Sequence, residues 1–381
     1  MSGHALEPMT ATRTAPGPAC LRDEDGPYFV IDRDQLRRRY WDFRLAFADA
    51  AIFYAVKANP HAAVLATLAS EGCGFEIASA HELEMLAPLG VEPERIIFGT
   101  AVKAADQIRA AHEYGVRVFA ADSDGELERI AANAPGAGVY IRVIVDDSAS
   151  VFRMSRKFGV APERAVELLG RAREFGLEPL GLSFNVGSQS SDPDAWARAI
   201  TSLTQTISEL CAAGMPPKIL NIGGGFPGPY KSAAPGLEEI AASVYGACEA
   251  LPVRPRLVLE PGRAIVAEAA ALVTNVIARA EREDGSWLYL DAGAYNALFE
   301  ALSCQGSTRY PVDALGGKEG PPASFVLAGP TGDGLDVVDE CAELPASLAV
   351  GDQLVFRNVG AYSMGMSSTF NGFPLPDVRV V

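Results

Sequence analysis

Short apolar runs of strand length recur through the middle of the chain: IFYAV at 52–56, FEIAS at 75–79, IIFGT at 96–100 and VRVFAAD at 116–122. YIRVIV at 140–145, LGLSFNVG at 180–187, ILNIGGGF at 219–226 and RLVLEPG at 256–262 bring the count to eight. The runs are continuous rather than alternating, as in strands covered on both faces. Between them lie Ala/Leu/Glu/Arg-rich stretches with helical spacing, such as HELEMLAPLG at 81–90 and APERAVELLGRAREFG at 161–176. Strands alternating with amphipathic helices predict βα units and a parallel sheet, an α/β protein. A doubly wound open sheet competes with a closed (β/α)8 TIM-type barrel, and eight units favour the barrel.

The flanks break this rhythm. Residues 1–25 are rich in Pro, Gly, Thr and Ala without a period, and read as a flexible tail. YFVI at 28–31 is a short strand, and Asp32 is placed to cap a helix through the arginines at 37–39. After about residue 268, ALVTNVIARAER, SWLYLDAG, SFVLAGP and QLVFRNVGAY read as strands punctuated by Gly and Pro. The predicted organisation is a tail at 1–25, a strand and helix start at 26–40 joining the second domain, a barrel at 41–268 and a mainly β domain at 269–381.

Composition narrows the partners. Of 381 residues, 49% are apolar and 21% charged, the balance of a soluble globular chain. No run approaches the roughly 20 apolar residues of a membrane span. The formal net charge of −16 would repel a phosphate backbone, so neither membrane nor nucleic acid is an expected partner. The six cysteines show no CxxC spacing, and the four histidines add no ligand set, so neither a disulfide framework nor a metal site is expected. The N-terminus lacks a basic stretch followed by an apolar one, and with the cysteines this points to a reducing cytoplasm.

Barrel chemistry sits at strand ends, and three of these are unusual. Lys57 follows the first run; partial desolvation there would lower its pKa and suit Schiff-base chemistry, though alone it reads as well as a surface lysine. Gly223-Gly224-Gly225 let backbone N–H groups approach an anion, or make a tight turn. Glu260 and Arg263 straddle a Pro-Gly turn after the eighth run, where Arg263 would offer a phosphate its guanidinium fork or make a loop ion pair. A lysine, a phosphate cradle and a buried acid together suggest pyridoxal 5′-phosphate (PLP): aldehyde on Lys57, phosphate on Gly223–Gly225 and Arg263, and pyridine nitrogen kept protonated by Glu260.

AVKANP at 55–60, SFNVGSQ at 183–189, NIGGGFPG at 221–228, EPGR at 260–263, GPTGDGLD at 329–336 and GAYSMGMSSTFNGFP at 360–374 resemble the fold-type III PLP-dependent decarboxylases, which include ornithine, lysine and diaminopimelate decarboxylases. The resemblance runs from about residue 27 to the end. It implies a PLP barrel plus a β domain, amino-acid decarboxylation to an amine and CO2, and a homodimer in which the GPTGDG segment reaches the partner's cofactor. It also implies that Lys57 holds the cofactor's aldehyde and that Ser188, Gly225, Arg263 and Tyr362 bind its phosphate. Glu260 is implied as the pyridinium partner, Glu76 and Arg142 as polar positions beneath the cofactor, and Asp333 as an acid for a distal amine.

The chain departs from the family pattern at four places. Asn185 stands where the family has a ring-stacking histidine, and Asn221 replaces an aspartate in a position read as supporting the site. Gly332 replaces a cysteine that resembles the proton donor to Cα, leaving a void a larger substrate could fill. The stretch 303–307 before Arg309-Tyr310-Pro311 lacks the acids of bacterial relatives. The missing acids at 303–307 argue against plain ornithine or lysine as substrate, and Gly332 leaves open an altered carbanion fate with an oxidised product. An amino-acid racemase and a non-enzymatic look-alike are the competing alternatives.

Overall fold

The computed structural model describes residues 26–231, 234–303 and 310–381, so the expected tail at 1–25 lies outside the described residues. β1 is Tyr28–Ile31. β2 (Ala51–Ala55), β3 (Gly74–Ile77), β4 (Ile96–Phe98), β5 (Val118–Ala121) and β6 (Gly138–Arg142) are consecutive parallel strands. β7 (Ser150–Phe152) leaves the barrel, β8 (Glu178–Ser183) returns to it, and β9 (Ser188–Ser190) pairs antiparallel with β7. β10 (Ile219–Asn221) and β11 (Arg256–Leu259) complete the ring, and β11 pairs with β2 to close an eight-stranded barrel. All eight apolar runs supply barrel strands.

The helices between them bury one stripe each. Helix Pro162–Glu174 starts on Pro162, where a missing N–H costs nothing, and buries Ala165, Leu168, Leu169 and Ala172 at helical spacing. Helix Arg33–Ala46 is capped by Asp32, whose Oδ1 accepts the Gln35 N–H at 2.9 Å. It turns Leu36, Tyr40 and Phe43 inward. Phe43 and the following Phe47 meet Phe226 edge-on at 5.1 and 5.8 Å, and Trp196 stacks on Phe226 at 4.7 Å. Burying such rings contributes about 1.5–3 kcal/mol each. Here the cluster fixes the loop that follows β10, which carries the glycine run.

The second domain is a mainly β sheet: β12 (Ala270–Arg282), β13 (Gly285–Leu290), β14 (Val312–Ala314), β15 (Pro322–Ala328), β16 (Val337–Pro345), β17 (Gln353–Arg357) and β18 (Asp377–Val380). The first half of β12 lies between β1 and β17, and its second half pairs with β13 beyond an irregularity at Val276/Ala278. β1 therefore sits in the β domain, paired with β12 and β18. β16 escaped the pattern reading because its DECAE core looks polar. Asp339 is nevertheless buried, joined to Lys231 at 2.9 Å, while Ala342 and Leu344 face the core.

Among the described residues, no helix is long and apolar enough to cross a membrane, and no group of His, Cys, Asp and Glu could hold a metal ion.

Candidate active site

Every barrel strand except β5 delivers residues at or just beyond its C-terminal end to one cavity of about 830 Å3. Lys57 follows β2 in a single tight turn, and its Nζ donates to Glu76 Oε2 at 2.6 Å. Glu76 lies within β3, so strand alternation sends Phe75 and Ile77 to the opposite face. Gly99 makes room for it: a Cβ at 99 would lie 2.5 Å from Glu76 Oε1. The Lys57 side chain is 43% exposed, toward the cavity. Burial among protein atoms works against its charge, but Glu76, Tyr362 and Glu260 outweigh this and raise its pKa above the ordinary 10.5. The expected lowering is thus corrected, because the desolvated lysine faces two carboxylates.

Glu260 leaves β11, and its Oε1 accepts from Asn221 Nδ2 at 2.6 Å and from the Tyr140 hydroxyl at 3.3 Å. Asn221 also accepts the Gly223 N–H at 2.9 Å. An amide can donate to one group and accept from another; an ionised aspartate there would repel Glu260. Burial pushes the Glu260 carboxyl up to about 7; Glu76 adds to this, while Lys57, the Asn221 hydrogen bond and Arg142 oppose it. The folded protein therefore holds this proton more tightly than the unfolded chain does. The stabilisation is complete below the ordinary value of 4.5 and is lost as pH rises to about 7. Glu82, also raised to about 7 by burial, acts with the same sign. Thermal unfolding of the cofactor-free protein should show Tm falling between these pH values, and Glu260→Gln should flatten that fall without abolishing it.

The glycine run divides its work. Gly223 does not line the cavity. It takes a left-handed φ of 67°, and a Cβ there would sit 2.3 Å from the Phe184 carbonyl. Its own carbonyl accepts the Glu260 N–H at 2.8 Å. Gly224 and Gly225 do line the cavity, and neither N–H donates to a protein acceptor among the described residues.

Arg263 is 3% exposed and does not present its fork to the cavity as expected. Nη1 and Nη2 donate to the two carboxylate oxygens of Glu300, both at 2.6 Å. Nη1 also reaches the Tyr230 hydroxyl at 2.8 Å, and Nη2 reaches Ser188 Oγ at 3.4 Å. Nε is buried without a partner. Tyr362 stands 4.8 Å from the guanidinium, ring to carbon. Its left-handed φ of 54° is uncommon for a bulky residue, and its N–H donates to the Ala58 carbonyl at 2.8 Å. That bond ties the loop bearing Tyr362 to the turn bearing Lys57. Asn185 lines the cavity with its Oδ1 held by the Gly187 N–H at 2.9 Å, and Arg142 lies 5.3 Å from the Phe158 ring.

Asp333 and Gly332 are not brought to this cavity. They line a separate one of about 660 Å3 on the β domain. Asp333 accepts from the Tyr295 hydroxyl at 2.7 Å; the Leu335 N–H, then Tyr295, hold its carboxyl below the ordinary range. The nearest atom to a Cβ at Gly332 would be 3.8 Å away, so packing does not demand glycine there. The acid-poor stretch lies outside the described residues from 304 to 309. Pattern reading missed Tyr140, Tyr230 and Glu300. Glu300 left one signal, an acid within the apolar stretch ALFEAL.

The cavity is lined by Gly224 and Gly225, whose backbone N–H groups have no protein acceptor among the described residues, and by Arg263, donors suited to an anion. At its floor, an amine faces two carboxylates. This arrangement fits PLP, and with the closed barrel and β domain it defines the fold-type III class of PLP enzymes. Residues 33–267 match the family described as "Pyridoxal-dependent decarboxylase, pyridoxal binding domain", and the chain belongs to that family. It is 34% identical to the ornithine decarboxylase of Mus pahari over 94% of this chain and 81% of that one. It is also 34% identical to the lysine/ornithine decarboxylase of Selenomonas ruminantium, covering 92% and 88%. The solved structure of the Vibrio vulnificus lysine/ornithine decarboxylase with cadaverine superposes with a TM-score of 0.87 at 33% identity, covering 95% and 96%. The chain is a PLP-dependent amino-acid decarboxylase, a carbon–carbon lyase. These relatives give no support to racemisation or to oxidative chemistry.

Proposed function

We propose that the chain works as a homodimer and decarboxylates an amino acid of ornithine, lysine or diaminopimelate length, or a larger modified one, releasing the amine and CO2. The observation that carries this is the single cavity joining Lys57, Glu76 and Glu260 to the donors at Gly224, Gly225 and Arg263. When bound, PLP supplies the electron sink that accepts charge from Cα as CO2 departs. In this reading Lys57 Nζ holds the aldehyde carbon, and Glu260, fixed by Asn221 and Tyr140, holds a proton at the ring nitrogen. Asn185 covers a ring face. Ser188, Gly225, Arg263 and Tyr362 grip the phosphate, Gly224 offers it another N–H, and Glu76 and Arg142 lie beneath the ring. Binding orients the α-carboxylate so that this bond, and no other at Cα, breaks.

Asp333 lines a different cavity of its own chain, which supports a role in a partner's site, with Gly332 leaving space beside the substrate. A cytoplasmic setting in amine or secondary metabolism is part of the same proposal; among the described residues no helix is long and apolar enough to cross a membrane. The test is CO2 release from a panel of diamino, arginine-like and modified amino acids, with sedimentation run in parallel. We expect turnover of at least one long substrate by a dimer. Asp333→Ala should raise the KM of a substrate with a distal amine by about tenfold, the scale of one lost charge-assisted hydrogen bond. An active monomer would refute the shared-site reading.

A further inference from the structure

Each residue of the short strand β9 ties down a different part of the cavity wall that bears Gly225 and Arg263. Ser188 lines the cavity, and its Oγ accepts from Arg263 Nη2 at 3.4 Å. The Ser190 N–H donates to the Gly225 carbonyl at 3.0 Å. Gln189, between them, is 6% exposed and closes a pair of hydrogen bonds with the backbone of Gly228, 39 residues away. Its Nε2 donates to the Gly228 carbonyl at 2.8 Å, and its Oε1 accepts the Gly228 N–H at 2.9 Å. A side-chain amide here satisfies a buried backbone donor and acceptor as a neighbouring strand would.

Gly228 in turn supports the residues that aim Arg263. Its carbonyl also accepts the Tyr230 N–H at 3.1 Å, and the Tyr230 hydroxyl accepts from Arg263 Nη1 at 2.8 Å. A Cβ at 228 would lie 3.3 Å from the Tyr230 ring and 3.4 Å from Arg263 Cγ, so the backbone passes close against both. Asn358, from the segment after β17, holds the next carbonyl, that of Pro229, at 2.5 Å. Gln189 makes its pair from a left-handed φ of 58°, a conformation glycine adopts freely. Among the described residues, three of the four non-glycines with such a φ, Gln189, Asn358 and Tyr362, bear on this loop or on Arg263. Strain of that kind persists where the surroundings over-determine it. Glycine at 189 would relieve the strain and lose the clamp. The pair is buried within one chain and owes nothing to a second copy.

We propose that Gln189 is a positioning residue for the cofactor's phosphate. By locking Gly228 to β9 it sets the spacing between the N–H of Gly225 and the side chain of Arg263. Gln189 does not itself line the cavity, so it acts through these groups. The proposal rests on the reading above in which Ser188, Gly225 and Arg263 meet the phosphate.

Pyridoxal and PLP differ only in the phosphate ester, so the ratio of their affinities isolates what the cradle contributes. Both are titrated into the cofactor-free full chain and followed by the absorbance change on binding. The wild type should bind PLP at least about a hundredfold more tightly than pyridoxal, the scale of two or more hydrogen bonds to a charged group. Equal affinities in the wild type would overturn the phosphate reading, and this proposal with it. Gln189→Gly should cut the ratio about tenfold, through PLP alone, with pyridoxal affinity unchanged. A variant that keeps the wild-type ratio would overturn the role of Gln189 and leave the phosphate ligands standing. So would one that loses affinity for both aldehydes equally, which is the mark of a generally loosened barrel. Gln189→Glu gives a second check. Ionised, the carboxylate cannot donate to the Gly228 carbonyl; protonated, it offers the same donor and acceptor as the amide. Its ratio, taken against the wild type at each pH, should approach the wild-type value as pH falls. A glutamate variant indistinguishable from the glycine variant at every pH would overturn the clamp.

Discussion

Lys57→Ala should yield a folded, colourless protein with decarboxylation reduced by at least about a thousandfold, within the 10²–10⁴ range for loss of a positioned proton-transfer group. The side chain projects into the cavity and is 43% exposed, so its removal opens no hole in the core. Its loss leaves Glu76 and Glu260 facing each other without their nearest cation. Like charges so placed favour protonation of one of them, which limits the damage to stability. Cofactor retention changes more sharply. The wild-type protein should keep PLP through borohydride treatment and dialysis as a mass adduct on the peptide containing residue 57, and the variant should not. Added methylamine should restore part of the activity of PLP-loaded variant, because a free amine can occupy the space that Nζ leaves. A Lys57→Ala protein that still carried the borohydride-fixed adduct would place the reactive amine elsewhere.

How far this site could be read from sequence depended on how each residue earns its place. Lys57, Glu260 and the glycine run stand at the ends of apolar strands, where a polar or flexible residue breaks a visible pattern. The eight strands were legible because strands buried on both faces leave unbroken apolar runs. The short strands β7, β9, β14 and β18, of three or four residues, are too brief to show a period. β16 hides behind a buried ion pair that looks polar on paper.

Supporting groups were harder to find. Nothing local marks Tyr140 as a partner of Glu260, 120 residues away, because both become neighbours only when the barrel closes. Arg263 shows the limit most clearly. Its type and position were evident, but the orientation of its guanidinium depends on Glu300, from the segment after β13, and on Tyr230, from the loop after β10. Motif matching names the residue that faces a ligand more readily than the residue that aims it. Asn221 illustrates the same point: it looked like a substitution at the edge of the site, and the hydrogen bonds show why an amide suits it.

Glu300→Ala should be the most destabilising of the single changes considered. Arg263 and Glu300 are 3% and 4% exposed, and two parallel hydrogen bonds of 2.6 Å join them. Removing the carboxylate strands a guanidinium in a low-dielectric interior, and breaking such a buried pair costs about 3–5 kcal/mol. That is a large share of the roughly 5–15 kcal/mol that holds a typical domain together. For a chain of this size it corresponds to a fall in Tm of roughly 5–15 °C in the cofactor-free protein. The phosphate cradle makes the prediction specific. In the variant, Arg263 retains Tyr230 and Ser188 as neutral partners and needs a countercharge. A phosphate on the cavity side would supply one. Inorganic phosphate should therefore raise the Tm of Glu300→Ala by more than it raises that of the wild type. Glu300→Gln should fall between the two, since the amide still accepts one hydrogen bond but brings no charge. Equal phosphate responses in variant and wild type would mean that the Arg263 guanidinium does not meet the anion. The cradle would then consist of Gly224, Gly225 and the neighbouring hydroxyls alone.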